Sequence, residues 1–181
     1  MIFVVGTGRS GTTTVARLLE DRFGIDMGGP GTFSDAQPKG DYEDPTLRAL
    51  NWQLVTGEIT NAEWKERALE YAATRGEPWG AKHPGFSFLM PILLDAFPDA
   101  EIIWAKRDVN LSIASWIRIK GITDPVQLDD VAYGINYRHW QVAYTLQVNR
   151  RPHLAIDFTN RLDEDEIAAA LGEYLNLEGK Q

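Results

Sequence analysis

The chain has no cysteine among its 181 residues and only three histidines. Disulfides and thiolate metal sites are thereby excluded. The histidines, His83, His139 and His153, are scattered without the spacing of a metal-binding pair, so no metal is expected. The lack of cysteine is compatible with a cytoplasmic location, which is the expected one. Basic residues are also scarce, 18 against 26 acidic ones, for a net charge of −8. A general nucleic-acid binder carries a basic stripe, and none is visible, so nucleic acid is not an expected partner. Long hydrophobic runs are missing as well. The opening run, Met1 to Val5, lacks a charged leader and meets a glycine turn, and the apolar stretch from Phe86 to Phe97 is broken by Pro91 and Asp95. Neither a signal peptide nor a membrane span is expected. Internal repeats and low-complexity tracts are absent, and the length suits a single domain over residues 1–181.

Short β-branched runs alternating with amphipathic ones make up the rest. Met1–Val5, Ala100–Lys106 and His153–Phe158 read as buried strands, and Pro78–Ala81 leads into a weaker strand-and-turn candidate, KHPGF. Between them, helices are expected from Thr12 to Phe23, from Pro45 past Leu54, from about Asn61 to Arg75, within 88–97, from Asn110 to Lys120, from Asp124 or Asp129 to Val148, and from Asp163 to Leu175. Asp44-Pro45 has the form of an N-cap followed by proline in the first turn. The glycine- and proline-rich stretch from Met27 to Gly40 reads as a long surface loop, and residues 27–76 as a lid or acceptor segment. Tyr133, Tyr137, Trp140 and Tyr144 recur at helical spacing and are expected in the core. Strands alternating with helices predict an α/β fold: a three-layer parallel sheet with helices on both faces. Ligands of such sheets lie beyond the carboxyl ends of the strands. Gly6–Thr13, Lys82–Pro84 and Arg107–Ser115 are therefore expected to converge on one site.

The chemistry concentrates in GTGRSGTTT. A strand, a glycine turn and a helix start surround an anion with backbone N–H groups and the positive end of a helix. Gly6, Gly8 and Gly11 satisfy the spacing of two nucleotide-binding patterns. A dinucleotide site needs an acidic residue at the end of a second strand, and Asp26 follows a helix instead. An ATP or GTP loop needs lysine at position 12, which is Thr12. Arg9, inside the turn, supplies a fixed charge and a planar fork of donors in its place.

VVGTGRSGTT resembles the 5′-phosphosulfate loop of sulfotransferases that use 3′-phosphoadenosine 5′-phosphosulfate (PAPS). The resemblance implies a P-loop NTPase-like sulfotransferase fold. It implies further that Arg9 neutralises the bridging oxygen and sulfuryl group, and that Gly8, Ser10, Gly11, Thr12 and Thr13 line the 5′-phosphate site. FPDAEIIWAKRDVNLSIASWIR is similar to the family's 3′-phosphate element, with Arg107 and Ser115 as the donors and Ser112 as a rival in another register. It departs from the family pattern at Val109 and Asn110. WGAKHP, GDYEDPTLRALN and HLAIDFTNRL look like further segments of bacterial members, so the resemblance spans nearly the whole chain. No counterpart of the glycine-rich C-terminal nucleotide segment of the cytosolic branch is visible.

Sulfuryl transfer needs alignment and positive charge at the leaving oxygen, which Arg9, Lys82 and the helix start can supply without a metal. The acceptor, a small molecule or saccharide offering a hydroxyl or amine, has a proton to lose. Glu43 and His83 are equal candidates for the base, and Asp41 is a third. PAPS is then the donor and adenosine 3′,5′-bisphosphate (PAP) the product. The alternatives are a small P-loop kinase, which would require Mg²⁺ and ATP, and a non-catalytic nucleotide-binding module. The oligomeric state is not legible.

Overall fold

The structure is a computed structural model that describes residues 1–29, 31, 40–160 and 162–177. Most of the expected loop from Met27 to Gly40 lies outside the described residues. Four strands, β1 (Ile2–Val5), β2 (Gly80–Lys82), β3 (Glu101–Lys106) and β4 (Leu154–Asp157), form one sheet in the order β2-β1-β3-β4. Every pairing is parallel, with Phe3 opposite Ala81 and Ile102, and Ile103 opposite Leu154. The firm three strands of the sequence reading are thus joined by the weaker candidate. β2 is only GAK, without β-branched residues, and becomes a strand because β1 and a bridge from Asp26 to Trp79 hold it in register.

Period-two alternation divides the sheet's side chains between two cores. Phe3, Val5 and Ile102 face α2 (Pro45–Val55), α3 (Asn61–Ala73), α4 (Met90–Ala96) and α6 (Pro125–Val148). Ile2, Val4, Ile103 and Ile156 face α1 (Thr12–Phe23) and α7 (Glu164–Leu175). The sheet is therefore covered on both faces, the arrangement that makes parallel strands read as continuous apolar runs. α5 (Val109–Lys120) packs on α6.

Local signals set the helix boundaries. Asp44 caps α2 by accepting from the amides of Thr46 and Leu47, with Pro45 in the first turn as expected. Thr60 and Glu63 form a reciprocal capping box on α3, and Asp163 and Glu166 do so on α7. Asp124, rather than Asp129, starts α6.

One expectation is overturned. Tyr133, Tyr137, Trp140 and Tyr144 are not core residues: they are 72, 38, 53 and 49 % exposed. A period of 3.6 identifies a stripe but not which stripe faces inward. The buried one on α6 consists of Ile135, Val142, Thr145 and Leu146. The aromatic stripe stacks on itself along the helix surface instead, with Trp140 and Tyr144 4.9 Å apart and 14° from parallel.

Candidate functional site

The carboxyl ends of β1, β2 and β3 open into a cleft of about 590 Å³ lined by Gly8, Arg9, Thr12, Lys82, Arg107 and Glu43, among others. All three segments expected to converge contribute to it.

The β1–α1 loop is tightly constrained. A Cβ on Gly6 would run into the Ala105 carbonyl, so the chain can pass β3 only as glycine. Gly11 is the N-cap of α1 at φ 101°, and a Cβ there would fall 2.6 Å from the Phe158 ring. Gly11 offers no capping side chain, and no acid stands in the first turn of α1, which leaves the positive helix end facing the cleft. Ser87, from the 3-10 turn Pro84–Ser87, clamps the loop by donating to the Gly6 carbonyl at 2.7 Å and accepting from its amide at 3.3 Å. Ser10 is fully buried, and its hydroxyl donates to the Thr7 carbonyl at 2.7 Å. It braces the loop from within, while Gly8, Arg9, Gly11, Thr12 and Thr13 line the cleft.

Arg9 adopts a left-handed backbone, φ 70°, and its Nε donates to Ser115 Oγ at 3.3 Å. Arg107 Nη1 donates to the Arg9 carbonyl at 3.3 Å, and its Nε is buried with no partner among the described residues. The two charges are thus close enough to act on each other, and no carboxylate pairs with either among the described residues. Burial first, then the charges of Arg107 and Arg118, push the Arg9 pKa down. Like charges held together in this way favour an anion between them. Ser115 meets Arg9, whereas the rival Ser112 is fully buried with an unpartnered hydroxyl.

A second cluster stands across the cleft. Lys82, 1 % exposed at the end of β2, lies 3.2 Å from Glu43 Oε1, and His83 Nε2 lies 3.6 Å from Glu43 Oε2. Burial lowers the Lys82 pKa, opposed by Glu43 and Asp41. Burial is also the main cause of the lowered His83 pKa. His83 Nδ1 accepts from the Gly85 amide at 3.0 Å and faces Asn51 Nδ2 at 3.0 Å. Asn51 Oδ1 is taken by the Trp64 indole N–H at 3.0 Å, so the Asn51 amide presents its NH₂ to the ring. Two donors on Nδ1 make it the lone-pair nitrogen and leave the proton of the neutral ring on Nε2, toward Glu43.

Glu43 is held by its neighbours in sequence. Tyr42 has φ 54°, and Asp41 accepts from the Glu43 amide. Asp44, 1 % exposed, adds Tyr71 and Arg75 to its capping bonds, and Arg75 also reaches Asp26. Sequence reasoning missed Asn51, Ser87, Tyr71 and Arg75. Only Asn51 carried a signal, a polar residue four positions after Leu47 on the apolar face of α2.

His139 and His153 flank the Trp104 ring, at 5.2 and 6.2 Å between centroids. Among the described residues, no group of three or more His, Asp or Glu side chains could hold a metal ion, and no helix is long and apolar enough to cross a membrane.

No curated protein sequence matches the chain significantly. Among solved structures, the sulfotransferase STF9 from Mycobacterium avium superimposes with a TM-score of 0.54 at 17 % identity. The alignment covers 97 % of this chain and 63 % of that one, so the chain spans less than two thirds of its neighbour's length. At that identity the likeness bears on the fold, which is the α/β P-loop-like fold of sulfotransferases. A sequence model described as the sulfotransferase family matches residues 2–160. With the whole described sheet inside that match, the chain belongs to the sulfotransferase family.

Proposed function

We propose that the protein is a sulfotransferase that takes its sulfuryl group from PAPS and passes it to a hydroxyl or amine of an acceptor. The observation that carries this reading is the pair of guanidinium groups, Arg9 and Arg107, that have no carboxylate partner among the described residues and stand beside an uncapped helix start. The buried orphan Nε of Arg107 and the hydroxyls of Thr12 and Thr13 fit a nucleotide carrying separate 5′ and 3′ phosphates. In this reading the α1 N-terminus with Gly8, Gly11, Thr12 and Thr13 holds the 5′-phosphate, and Ser10 supports it from inside the loop. Arg107 and Ser115 hold the 3′-phosphate.

The donor supplies an activated sulfuryl group, bonded to the leaving phosphate oxygen. Arg9 and the Lys82 ammonium offset the negative charge that grows on that oxygen, where preformed positive charge is most effective. Glu43 removes the acceptor proton. Its rival, His83, has its Nδ1 lone pair engaged and its proton on Nε2, so the neutral ring offers a donor rather than a base. His83 is then a positioning residue for the Glu43 carboxylate, and Asp41 braces the same turn. Residues 27–76, with α2 and α3, form the acceptor side.

The decisive test is calorimetry with PAP, ATP and NAD, paired with transfer of labelled sulfuryl from PAPS to a panel of phenols, alcohols and amines. Tight PAP binding without Mg²⁺, together with transfer to one acceptor, is expected. Mg²⁺-dependent ATP binding in preference to PAP would replace this reading with a kinase, and PAP binding without any transfer would indicate a binding module.

A further inference from the structure

Arg138 is a cation without a carboxylate partner among the described residues. Its guanidinium is half-buried, its Nε is inaccessible to solvent and lacks a hydrogen-bond partner, and no ion pair reaches it among the described residues. It lies over the Phe88 ring, 4.5 Å from the centroid. A guanidinium in this state carries a desolvation cost that a carboxylate would ordinarily offset. On its own helix, the positions three and four residues away are Ile135, Gly134, Gln141 and Val142, none of them acidic. On α4, the acid Asp95 is occupied by Lys65 at 2.8 Å.

The position of Arg138 relates it to the candidate site. Phe88 directly follows the 3-10 turn that begins after His83, and His83 touches Phe86 at 5.9 Å between rings. The charge of Arg138 opposes protonation of His83, which places the guanidinium within electrostatic reach of the ring that abuts Glu43. Tyr137 also packs against Phe88, 5.7 Å between centroids, and belongs to the exposed ladder that runs from Tyr133 through Trp140 to Tyr144. A positive charge on an aromatic wall, within electrostatic reach of the ring that abuts Glu43, suits the non-reacting end of an acceptor.

We propose that Arg138 is an acceptor-binding residue, and that the acceptor carries a carboxylate, sulfate or phosphate group on a ring-bearing body beside its reactive hydroxyl or amine. A planar guanidinium recognises such an anion with two parallel hydrogen bonds, while Phe88 and Tyr137 cover the attached ring. The inference rests on the sulfuryl-transfer reading, because that reading defines which side of Glu43 receives the acceptor.

The test uses the full chain saturated with PAP, titrated with benzoate, phenyl phosphate, phenyl sulfate and uncharged benzyl alcohol. At least one anion is expected to bind, and Arg138→Gln to weaken it at least tenfold. Arg138→Lys should retain part of the affinity, and benzyl alcohol should not distinguish the variants. The tightest of the three anions identifies the group. Arg138→Met keeps the stem over Phe88 and replaces the Gln variant if that one fails to fold. Failure of every anion to bind the PAP-saturated wild type overturns the inference, as does equal affinity in the variants. Failure to bind PAP at all would sink the donor reading instead, so the two failures are distinguishable.

Discussion

The Nε of Arg9 donates to the hydroxyl of Ser115 at 3.3 Å, across 106 positions of sequence. This contact ties the β1–α1 loop to α5, and Arg107 closes the triangle by donating to the Arg9 carbonyl. The two segments proposed to bind the phosphates are therefore linked to each other rather than two independent cradles. In the proposed nucleotide site, Arg107→Ala removes the charge assigned to the 3′-phosphate. PAP affinity is expected to fall about 10- to 100-fold, the range for losing a hydrogen bond to a charged group. Adenosine 5′-phosphate affinity should change by less than about threefold, a shift below 0.7 kcal/mol. Equal losses for both nucleotides in calorimetry would remove Arg107 from the 3′-phosphate role.

Glu43 and His83 separate on the same logic. Glu43→Gln keeps the shape and hydrogen-bonding capacity of the side chain but cannot take a proton. Its kcat should drop about 10²- to 10⁴-fold, the usual contribution of a general base, with PAP affinity nearly unchanged. His83→Gln should lose less, because the ring only orients the carboxylate. If the His83 variant is the more damaged of the two at saturating acceptor, the assignment of the base reverses.

Much of this was legible in the sequence, for identifiable reasons. Strands β1 and β3 are buried on both faces and so read as apolar runs. The caps Asp44, Thr60 and Asp163 announce themselves by type and spacing. The loop Gly6–Thr13 is a local motif, so its geometry is written in consecutive residues. Of the contacts between distant segments, only the convergence of three strand-end loops on one cleft was legible, not the individual side-chain pairings. Nothing in the spacing of Asn51, Trp64 and His83 says that they meet, because that meeting depends on how α2 packs beside the 3-10 turn. The α6 aromatics misled for a related reason: periodicity carries no label for inside and outside, and only packing against α4 and the 3-10 turn turns Ile135 and Val142 inward.

Gly11 offers a test of the loop that reads its backbone conformation both without a ligand and with one. At φ 101°, an alanine is strained by about 1–3 kcal/mol, and its Cβ meets the Phe158 ring at 2.6 Å. Gly11→Ala should therefore lower the denaturation midpoint and abolish PAP binding together. Chemical denaturation followed by calorimetry would check both; a stable variant that still binds PAP would mean that the loop tolerates another path.

Acid should destabilise the fold through its buried histidines. The pKa values of His83 and His139 both lie below the ordinary 6.5, chiefly because of burial. Above about pH 6.5 the rings are neutral in both folded and unfolded chains, and the pH has no leverage through them. Below it, the unfolded chain takes up protons that the folded one refuses, so stability falls with pH until the lowered folded values are reached. Each ring contributes a slope of at most about 1.4 kcal/mol per pH unit. Urea midpoints between pH 7.5 and 5 should decline, and more shallowly in His139→Gln. A midpoint that is flat or rises on acidification would contradict the burial argument.

Asn51 sets the tautomer of His83 by direct contact at Nδ1, and one substitution should invert it. Asn51→Asp keeps an oxygen for the Trp64 indole, so the helix contact survives. The other oxygen replaces the NH₂ facing Nδ1, and a lone pair cannot face a carboxylate oxygen comfortably. The ring is then driven to carry a proton on Nδ1, stabilised by a negative charge at hydrogen-bond distance. The Gly85 amide loses its acceptor as a result, at a cost of about 1–3 kcal/mol. The His83 pKa should rise above that of the wild type, read by NMR of the imidazole nitrogens. Once it exceeds the unfolded value of about 6.5, the ring's contribution to stability changes sign, strengthening the fold as pH falls through the new value. Asn51→Leu strands the Trp64 N–H and should cost about 1–3 kcal/mol of stability, but it adds no charge and should leave the His83 titration low. An Asp variant whose ring titrates as low as the Leu variant would show that the Nδ1 environment is not what fixes the tautomer.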